Sequence, residues 1–448
     1  MNKFRIVLIL SVLLLTSCSN SQELVDDSQK EQLTEEIAVN DEVDEVEKEL
    51  ADDESSPEID EELPEDIEMP DSEIIIWHIF SDEIEEELQR IVENYNSKEN
   101  GIIVEAVSKE SKDLQMALKD GHSNFAKIDM MIDFPFMLEE GFLNDSFTDL
   151  SRYIEDESIG ISNFDSLVEK NIKNEMSQKG GIYNFPLSRT GNIIYYNKTL
   201  LDSLNLKMPS NWDELELTSK EIMAKTGKPA FGTESAIEFI DSYLNSYSDI
   251  YIDDKLNVNS AESLEALNRL KSNFKENLYI FNTDDGSLLG AFETGEIAFY
   301  MASSYYSDII NHEDGGFEIG YSAMPSNPKK PYKLMVGPSI FVLNSDESRQ
   351  RASFDFIKYM VEEGSIPFSK LYGGAVPYKL EDNDEYIEYN QDPVIKVLND
   401  MQKDAGYIPM IPGIIDSRFY FNEIMNAILD QDMDLKSAIE GIQAEIDK

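Results

Sequence analysis

The order of apolar and polar residues along most of the chain predicts buried strands that alternate with amphipathic helices. Residues 74–78 form a short continuous apolar run, which is typical of a strand buried on both faces of a parallel sheet. Residues 82–97 place apolar side chains at helical spacing, with Glu and Arg on the opposite face. A strand over 102–107, a helix over about 111–119 and a strand over 128–132 follow. This alternation indicates right-handed crossovers and a parallel sheet, and therefore an α/β fold.

The rest of the chain continues the same two patterns. A strand is predicted over 193–196 and another over 339–343. Between them the chain passes from a helix end near Phe292, through Gly295, into an apolar strand that ends at Ala302. Further helices are predicted near 197–204, 211–226, 261–275, 347–361, 418–430 and 434–447.

Three polar or aromatic residues follow directly from the predicted strands. Ligands of open parallel sheets sit beyond the carboxyl ends of the strands. Trp77, His78 and Asp133 stand at such ends. The pattern therefore predicts a cleft near these three residues.

The first residues of the chain predict export. Lys3 and Arg5 precede an apolar run over 6–15, which is too short to span a bilayer of about 30 Å and fits a secretory signal. The run ends in Leu-Thr-Ser-Cys at 15–18, which looks like a bacterial lipobox. Residues 1–17 are therefore predicted to be a signal peptide and Cys18 to be acylated, with a plain secretory signal ending near a lone cysteine as the alternative. Cys18 is the only cysteine, which excludes an intramolecular disulfide.

An N-terminal segment differs from the rest of the chain in its high content of acidic residues. Residues 19–71 contain no aromatic residue and no glycine, and acidic residues occupy almost every other position. Such a segment buries too little apolar surface to offset its ordering entropy, so 18–72 is predicted to be a disordered tether that acts as a spacer, with weak calcium binding as the alternative. The formal net charge of −53 argues against nucleic acid or anionic lipid as a partner.

Catalytic motifs are scarce. The chain has three histidines without metal-ligand spacing, and neither a G-x-S-x-G elbow nor a Walker loop is present. Residues 284–286, Asp-Asp-Gly, lack the further ligands of a calcium loop and predict a turn. Paired carboxylates for glycoside hydrolysis remain an open alternative, because no spacing singles out a pair in so acidic a chain. No metal site and no cofactor is predicted.

Five motifs in order carry a family resemblance. They lie at 181–187 (GIYNFPL), 193–198 (IIYYNK), 209–215 (PSNWDEL), 295–301 (GEIAFYM) and 356–360 (FIKYM). This arrangement resembles the family 1 extracellular solute-binding proteins, the group that includes maltose-binding and glycerol-3-phosphate-binding proteins. The similarity extends from residue 73 to residue 448.

The resemblance implies a two-lobed periplasmic-binding-protein-like fold of type II, with the ligand cleft between the lobes. By analogy the N-terminal lobe takes 73–187 plus 300–335, and the C-terminal lobe takes 188–299 plus 336–448. Closure about a hinge buries a polar ligand between two rigid walls. The implied partners are a small solute and ABC permease subunits, with the chain itself a monomer.

Within the family, residues 299–304 look most like the glycerol-3-phosphate and glycerophosphodiester binders. The resemblance implies ligand contacts at Trp77, His78, Asp133, Thr190, Ser303, Ser304, Gly337 and Arg418. Two further candidates come from the residues themselves: Arg189, which is new in the hinge segment, and Tyr372, which precedes a Gly-Gly pair. The subgroup's two ligand tyrosines are absent, since residues 108–111 read Ser-Lys-Glu-Ser and position 375 is Ala.

Plainer interpretations stand beside these. Trp77 is also explained as a core residue at a strand end, His78 as a structural histidine, and Arg189 as a surface residue. Ser303 and Ser304 suit a helix N-cap equally well. Trp212 is predicted to pack in the core.

The expected function is that of an extracellular substrate-binding lipoprotein of an ABC importer, held at the outer face of a Gram-positive-type cell membrane by its lipid anchor. Its expected ligand is a saccharide or a polyol phosphate, and no enzymatic activity is expected. Two alternatives stay open at this point: a lipid-anchored glycan-active enzyme, and a surface sensor or adhesin that keeps the binding fold.

Overall fold

The computed structural model describes residues 72–120, 128–282, 288–310 and 316–448. The predicted signal peptide, Cys18, all of the predicted tether before its last residue and the predicted Asp-Asp-Gly turn lie outside these residues. Within the described part of the chain, no helix is both long enough and apolar enough to cross a membrane.

The strands, in chain order, are β1 (Ser72–His78), β2 (Ile102–Ser108), β3 (Met130–Asp133), β4 (Ser177–Gln178), β5 (Gly181–Ile182), β6 (Asn184–Pro186), β7 (Thr190–Asn197), β8 (Phe231–Thr233), β9 (Tyr251–Ile252), β10 (Lys255–Leu256), β11 (Tyr279–Phe281), β12 (Phe299–Ser303), β13 (Ile319–Ala323), β14 (Lys333–Val336), β15 (Ser339–Val342) and β16 (Ala405–Gly406).

The helices are α1 (Asp82–Asn96), α2 (Ser111–Asp120), α3 (Glu139–Leu143), α4 (Ser151–Glu155), α5 (Phe164–Leu167), α6 (Lys170–Met176), α7 (Lys198–Leu204), α8 (Trp212–Thr226), α9 (Ala236–Asn245), α10 (Ala261–Lys275), α11 (Leu288–Glu293), α12 (Ser307–Ile310), α13 (Glu347–Tyr359), α14 (Ser365–Tyr372), α15 (Asp384–Tyr389), α16 (Pro393–Gln402), α17 (Ile414–Leu429) and α18 (Leu435–Ile446). Short 3₁₀ turns cover Pro135–Leu138 and Ser304–Tyr306, and a π-helical turn covers Met360–Gly364.

The first lobe is built on a five-stranded sheet in the order β2-β1-β3-β15-β6. β1 pairs in parallel with β2 and β3, as the alternating pattern predicted, whereas β15 runs antiparallel to β3 and β6. Side chains of β1 alternate between the two faces, because successive residues of a strand point to opposite sides. Ile74 and Ile76 enter a core with α1, α13 and α14. Trp77 packs on the opposite face, against a cluster that contains Leu114 of α2.

The second lobe is built on a seven-stranded sheet. Its order is β11-β8-β12-β7-β14-β16, with β13 also paired to β7. β7 is the organising strand, because it runs antiparallel to β12, β13 and β14. Helices α8, α9, α10, α17 and α18 contribute to the core on one face. Trp212 is 3% exposed and packs edge-on against Tyr243, which confirms its predicted role in packing.

The described residues belong to one compact unit in which chain crossings join the two sheets. The first crossing runs from β6 into β7, and the second runs from β14 into β15. They lie side by side, since Leu187 N–H donates to the Pro338 carbonyl at 2.9 Å. A third segment joins them, because Arg189 and Ala375 exchange two backbone hydrogen bonds of 2.9 and 2.7 Å. The expected two-lobed fold with a cleft between the lobes is thus confirmed.

The assignment of the later segments to the lobes was wrong. Residues 300–335 were predicted in the N-terminal lobe, yet β12, β13 and β14 all pair with β7 or its neighbours in the second sheet. Conversely, β15 joins the first sheet, and α13 and α14 pack in the first core. The reason is physical: a short apolar strand is equally suited to either sheet, and only its hydrogen-bond partner decides. The second crossing therefore lies between β14 and β15 instead of near residue 300.

Two helix boundaries also differ from the prediction. The helix predicted over 418–430 begins four residues earlier, at Ile414, so Arg418 lies one turn inside it. The helix predicted over 347–361 continues through a π-helical turn into α14. Pro367 closely follows the π-helical turn, where the regular helical hydrogen bonding has already been interrupted.

Candidate ligand cleft

Side chains from both lobes meet where strands end. β1 and β3 are neighbours, and their carboxyl ends carry Trp77, His78 and Asp133. In the second lobe, β12 ends at Ser303. The two edges contact each other through Tyr372, whose ring centroid lies 6.1 Å from that of Tyr305 and 6.5 Å from that of Phe80. These contacts bring the two lobes together beside the strand ends, and a ligand cleft lined by Trp77, His78 and Asp133 stays a prediction.

Trp77 is half-buried and borders an open depression. The depression has a volume of about 510 Å³ and is lined by Trp77, Lys109, Asp113, Met116 and Ala117. The Lys109 ammonium lies 5.0 Å from the centroid of the Trp77 ring, within the range of a cation–π contact. One face of the ring is thus already in contact with a positive charge. Stacking of a ligand on Trp77 stays a prediction.

His78 is fully buried and neutral. Its Nδ1 accepts a hydrogen bond of 3.2 Å from Phe80 N–H, and the two rings stack with centroids 5.6 Å apart. Burial lowers the pKa of His78 to about 4. Since Nδ1 accepts, the proton of the neutral ring resides on Nε2, which has no hydrogen-bond partner among the described protein atoms. This N–H is a donor that a polar ligand group can satisfy.

Asp133 is a buried carboxyl without a basic partner. It is 1% exposed and accepts hydrogen bonds from Ser111 Oγ at 2.5 Å and from Phe134 N–H at 2.6 Å. Among the described residues, no Lys or Arg forms an ion pair with it. Burial raises the pKa of Asp133 to about 7, even though both hydrogen bonds lower it. A buried carboxyl without a basic partner lowers the stability of the fold, and such groups are typical of functional sites.

Arg189, Thr190 and Gly337 lie together at the crossings. The Arg189 guanidinium is buried, forms an ion pair with Glu175, and donates to the Gly337 carbonyl at 3.4 Å. Thr190 Oγ1 donates to the Val336 carbonyl at 3.2 Å. Burial raises the pKa of Glu175, and Arg189 offsets this in part. Arg189 is therefore not the surface residue of the alternative interpretation, and its charge is already compensated.

The two serines at the end of β12 act first on the backbone. Ser303 Oγ accepts from Tyr305 N–H at 3.3 Å and caps the 3₁₀ turn, as the N-cap alternative expected. Ser304 is fully buried, and its Oγ donates to the Gly373 carbonyl at 3.4 Å. That contact links the second lobe to the loop after α14. Ligand contacts by either serine stay predictions.

Tyr305 and Tyr306 were missed by the sequence reasoning. Their rings meet edge to face, with centroids 5.3 Å apart, and Tyr372 adjoins Tyr305. A ligand contact of Tyr372 stays a prediction. Burial and then the charges of Glu83 and Asp82 raise the pKa of Tyr305. The signal that could have found the pair is its position directly after the Ala-Ser-Ser motif at 302–304.

The surroundings of this tyrosine pair are acidic in both lobes. Burial, the neighbouring tyrosine and then Glu234 and Glu238 raise the pKa of Tyr306. Within the described part of the chain, the charged groups that shift the pKa of either tyrosine are all carboxylates. A phosphate at this wall would meet like charges.

Arg418 faces an internal carboxylate. It is 7% exposed, and its Nε donates to Asp241 Oδ2 at 3.2 Å. Nη2 lies 3.2 Å from the same oxygen but makes no hydrogen bond of good geometry. The guanidinium also lies 5.6 Å from the ring centroid of Phe136, which belongs to the first lobe. Arg418 therefore lies at the interlobe contact, with its charge already compensated by Asp241.

The described residues hold no group of three or more His, Cys, Asp or Glu side chains arranged to bind a metal ion. His122 and His312 lie outside the described residues.

Comparison with known proteins adds the family. A family model described as bacterial extracellular solute-binding protein matches residues 81–366. The multiple sugar-binding protein of Streptococcus mutans serotype c is 28% identical over 215 residues, which make up 42% of this chain and 49% of that protein. The chain thus spans about half the length of the curated relative it matches.

Solved structures share the fold at low sequence identity. The sugar-binding protein MalE from Xanthomonas citri gives a TM-score of 0.72 at 16% identity and covers 84% of this chain and 96% of its own. The cyclic alpha-maltosyl-1,6-maltose binding protein from Arthrobacter globiformis gives 0.70 at 19%, covering 84% and 97%. UgpB from Mycobacterium tuberculosis, solved with glycerophosphocholine, gives 0.66 at 16%, again covering 84% and 97%. At these identities the likeness establishes the fold alone.

Proposed function

This chain belongs to the bacterial extracellular solute-binding proteins, and we propose that it captures a solute outside the cell and delivers it to an ABC importer. The proposed ligand is a carbohydrate or a glycerol-phosphate-type solute, bound by closure of the two lobes. The proposed partners are ABC permease subunits, and the protein acts as a monomer. No chemical conversion of the ligand takes place.

One observation carries the proposal. Two rigid lobes are joined by adjacent crossings, and aromatic and polar side chains from both lobes meet at the gap, as in the contact of Tyr372 with Tyr305. A solute that bridges such a gap binds the closed form better than the open form, so it shifts the population toward closure. A permease can then distinguish the loaded protein by its shape.

The proposal extends to the location of the protein. The signal peptide over 1–17 exports the chain, Cys18 carries the lipid, and the acidic segment over 18–72 spaces the binding unit from the membrane. One acyl chain gives only marginal membrane affinity, so a lipidated cysteine with more than one chain suits a stable anchor. The membrane is contacted through this anchor only, and nucleic acid is not a partner. A shift in mass of the N-terminal peptide of the mature protein tests the lipidation.

The ligand test uses the two tryptophans of the chain. Purified protein is screened by thermal shift against maltodextrins, glycerol 3-phosphate and glycerophosphocholine. A ligand at 100 times its Kd adds about 2.7 kcal/mol of stability, which is readily detected. Binding is then followed by tryptophan fluorescence in Trp77→Phe and Trp212→Phe variants. The response should persist in Trp212→Phe and disappear in Trp77→Phe, because Trp77 borders an open depression and is the proposed stacking residue, whereas Trp212 lies in the second core.

Closure and turnover complete the test. Small-angle scattering should show a smaller radius of gyration with ligand than without. Chromatography of the ligand after long incubation should return it unchanged. Release of any product would contradict the proposal and favour an enzyme, and the absence of binding by every solute class in the screen would contradict it as well.

A further inference from the structure

A carboxylate of the first lobe caps a helix of the second lobe. Glu139, the first residue of α3, accepts hydrogen bonds of 3.2 Å from the backbone N–H of Gly413 and of 3.2 Å from that of Ile414. Each oxygen of the carboxylate takes one of the two amides. The two hydrogen bonds join residues that are 274 and 275 positions apart in the sequence and that belong to different lobes.

The helix that receives this carboxylate is suited to bind an anion. α17 is 16 residues long, and its first amides lack partners within the helix. The residue at its N-cap is Gly413, at φ 68°, which offers no side-chain cap, and the Ile414 N–H is shared between Glu139 and the Ile411 carbonyl, which lies 3.2 Å away. Partial positive charge at the N-terminus of a helix favours an anion there. Glu139 supplies that anion from across the cleft.

Burial of the Glu139 carboxylate costs desolvation free energy, and the two amide donors reduce this cost. Glu139 is half-buried, and burial raises its pKa, while the hydrogen bonds from Ile414 and Gly413 lower it in part. A partly desolvated carboxylate gains from the two donors and loses them when the lobes separate. Because the carboxylate and the two amides belong to different lobes, the hydrogen bonds hold the lobes together at this point.

The positive charges of two buried guanidinium groups, one at the interlobe contact and one at the crossings, are also compensated by a carboxylate. Arg418 pairs with Asp241, and Arg189 pairs with Glu175. Arg418 Nη2 is buried and makes no hydrogen bond of good geometry, and the guanidinium lies beside Phe136. Neither guanidinium offers a full positive charge to a ligand.

We infer that Glu139 is a specificity-determining residue that directs the cleft toward uncharged polar solutes, such as neutral saccharides and polyols, and against phosphates and carboxylates. Closure brings its carboxylate to the helix terminus where a ligand anion would otherwise bind. The inference rests on the proposed function, since it takes the interlobe cleft as the ligand site. It narrows the proposed ligand class to its uncharged members.

The test compares Glu139→Ala and Glu139→Gln with Glu140→Ala. Glu140 is the adjacent half-buried glutamate of α3, and its side chain makes no hydrogen bond to α17 among the described contacts. Inorganic phosphate and glycerol 3-phosphate are the anionic probes, and a maltodextrin mixture is the neutral probe. Binding is read by calorimetry and by the NMR shifts of the Gly413 and Ile414 amides. Circular dichroism confirms that each variant is folded, and Glu139→Gln keeps the shape of the side chain if the alanine variant is unstable.

The expected results differ between the variants. Phosphate should bind Glu139→Ala at least about tenfold more tightly than wild type, since a tenfold change corresponds to only about 1.4 kcal/mol. It should also shift the two amide signals in that variant, and Glu140→Ala should behave as wild type. Scattering of the ligand-free protein should show a larger radius of gyration for both Glu139 variants than for Glu140→Ala.

Two outcomes would overturn the inference. One is tighter binding of glycerol 3-phosphate than of maltodextrin by the wild type, with loss of that binding in Lys109→Ala, which would place an anion beside Trp77. The other is equal phosphate affinity of Glu139→Ala and Glu140→Ala. Failure of the proposed function would give a different result, namely a wild-type protein that binds none of the solutes. Even then, the phosphate affinities of Glu139→Ala and Glu140→Ala could be compared, so the inference about Glu139 would still be tested.

Discussion

Asp133 shows at the residue scale how the protein keeps a destabilising buried carboxyl at the end of β3. Its carboxyl is buried and has two hydrogen-bond donors but no basic partner among the described residues. The folded-state pKa of about 7 lies well above the 3.8 of a free aspartate. Between these values the unfolded chain has released a proton that the folded chain keeps. Asp133 therefore destabilises the fold as the pH rises through this window.

Replacement of Asp133 should expose this cost. Asp133→Asn removes the charge and keeps a side chain of the same size, so it should raise the free energy of unfolding at pH 8 by a few kcal/mol. At about pH 2.5, below the ordinary pKa of 3.8, the folded and unfolded carboxyls are both largely protonated and the difference should shrink toward zero. Urea unfolding of both proteins across this pH range measures it. A loss of stability that grows as the pH rises would mean that the ionised carboxylate is stabilised in the fold.

Asp129, which directly precedes β3, provides the control for Asp133. It is 1% exposed, like Asp133, but Arg349 donates two hydrogen bonds to it, of 2.6 and 2.5 Å. Asp129→Asn should therefore lower stability at pH 8, by about 1.5–3 kcal/mol, the usual value of hydrogen bonds to charged groups. If Asp133→Asn raises the free energy of unfolding and Asp129→Asn lowers it, the difference comes from the Arg349 partner of Asp129, because the two aspartates are equally buried.

Backbone packing at the crossings decides the geometry of the hinge at the element scale. Gly337 lies between β14 and β15, and a Cβ placed there would come within 1.9 Å of the Ser188 carbonyl oxygen. The atom in the way belongs to the backbone of the other crossing, so no side-chain rotation relieves the clash. The close approach of the two crossings explains why a side chain is excluded at Gly337, a position that the resemblance had implied as a ligand contact.

Gly337→Ala should consequently destabilise the protein. Overpacking of a tight site costs about 1–3 kcal/mol, and a contact to backbone places this change near the upper end. Gly441→Ala is the matched control, since it lies inside α18 with nothing within 4 Å of the added Cβ. That change should stabilise the helix by about 0.5–1 kcal/mol. Thermal unfolding of both variants gives the comparison. Equal changes in stability would show that the two crossings can move apart to admit the Cβ added by Gly337→Ala.

Net charge acts at the scale of the whole molecule. The chain carries 90 acidic and 37 basic residues, for a formal net charge of −53. Repulsion among so many like charges favours expanded states, and dissolved salt screens it. The ion pairs at the surface contribute little in comparison, because most exposed pairs are worth less than about 1 kcal/mol.

Added salt should therefore raise the melting temperature. The Debye length falls from about 30 Å at 0.01 M to about 3 Å at 1 M, so most of the rise should occur in the lower part of this range. Differential scanning calorimetry in sodium chloride measures it, and sucrose at matched osmolality controls for exclusion of the solute from the protein surface. A melting temperature that falls on addition of salt would mean that the internal ion pairs outweigh the net repulsion.

Much of the fold was determined by local pattern alone. The three parallel strands of the first sheet, the helices between them and most later elements follow from apolar spacing, because burial on one face or two imposes a period on the side chains. The same pattern placed Trp77, His78 and Asp133 at strand ends, and the order of motifs identified the family. Export, acylation of Cys18 and the acidic tether also come from the sequence, and they stay predictions because they lie outside the described residues.

The tertiary structure decided what depends on partners distant in sequence. It placed β12, β13 and β14 in the second sheet, since a strand's sheet is set by its hydrogen-bond partner and not by its own residues. It paired Arg418 with Asp241 and Arg189 with Glu175, which changes charged candidates for an anion site into compensated groups. It also brought Glu139 to the terminus of α17, a contact between residues 274 positions apart that no local pattern encodes. Composition and periodicity fix what each segment is, whereas Coulomb and hydrogen-bond energies act only once folding has brought the partners within a few ångströms.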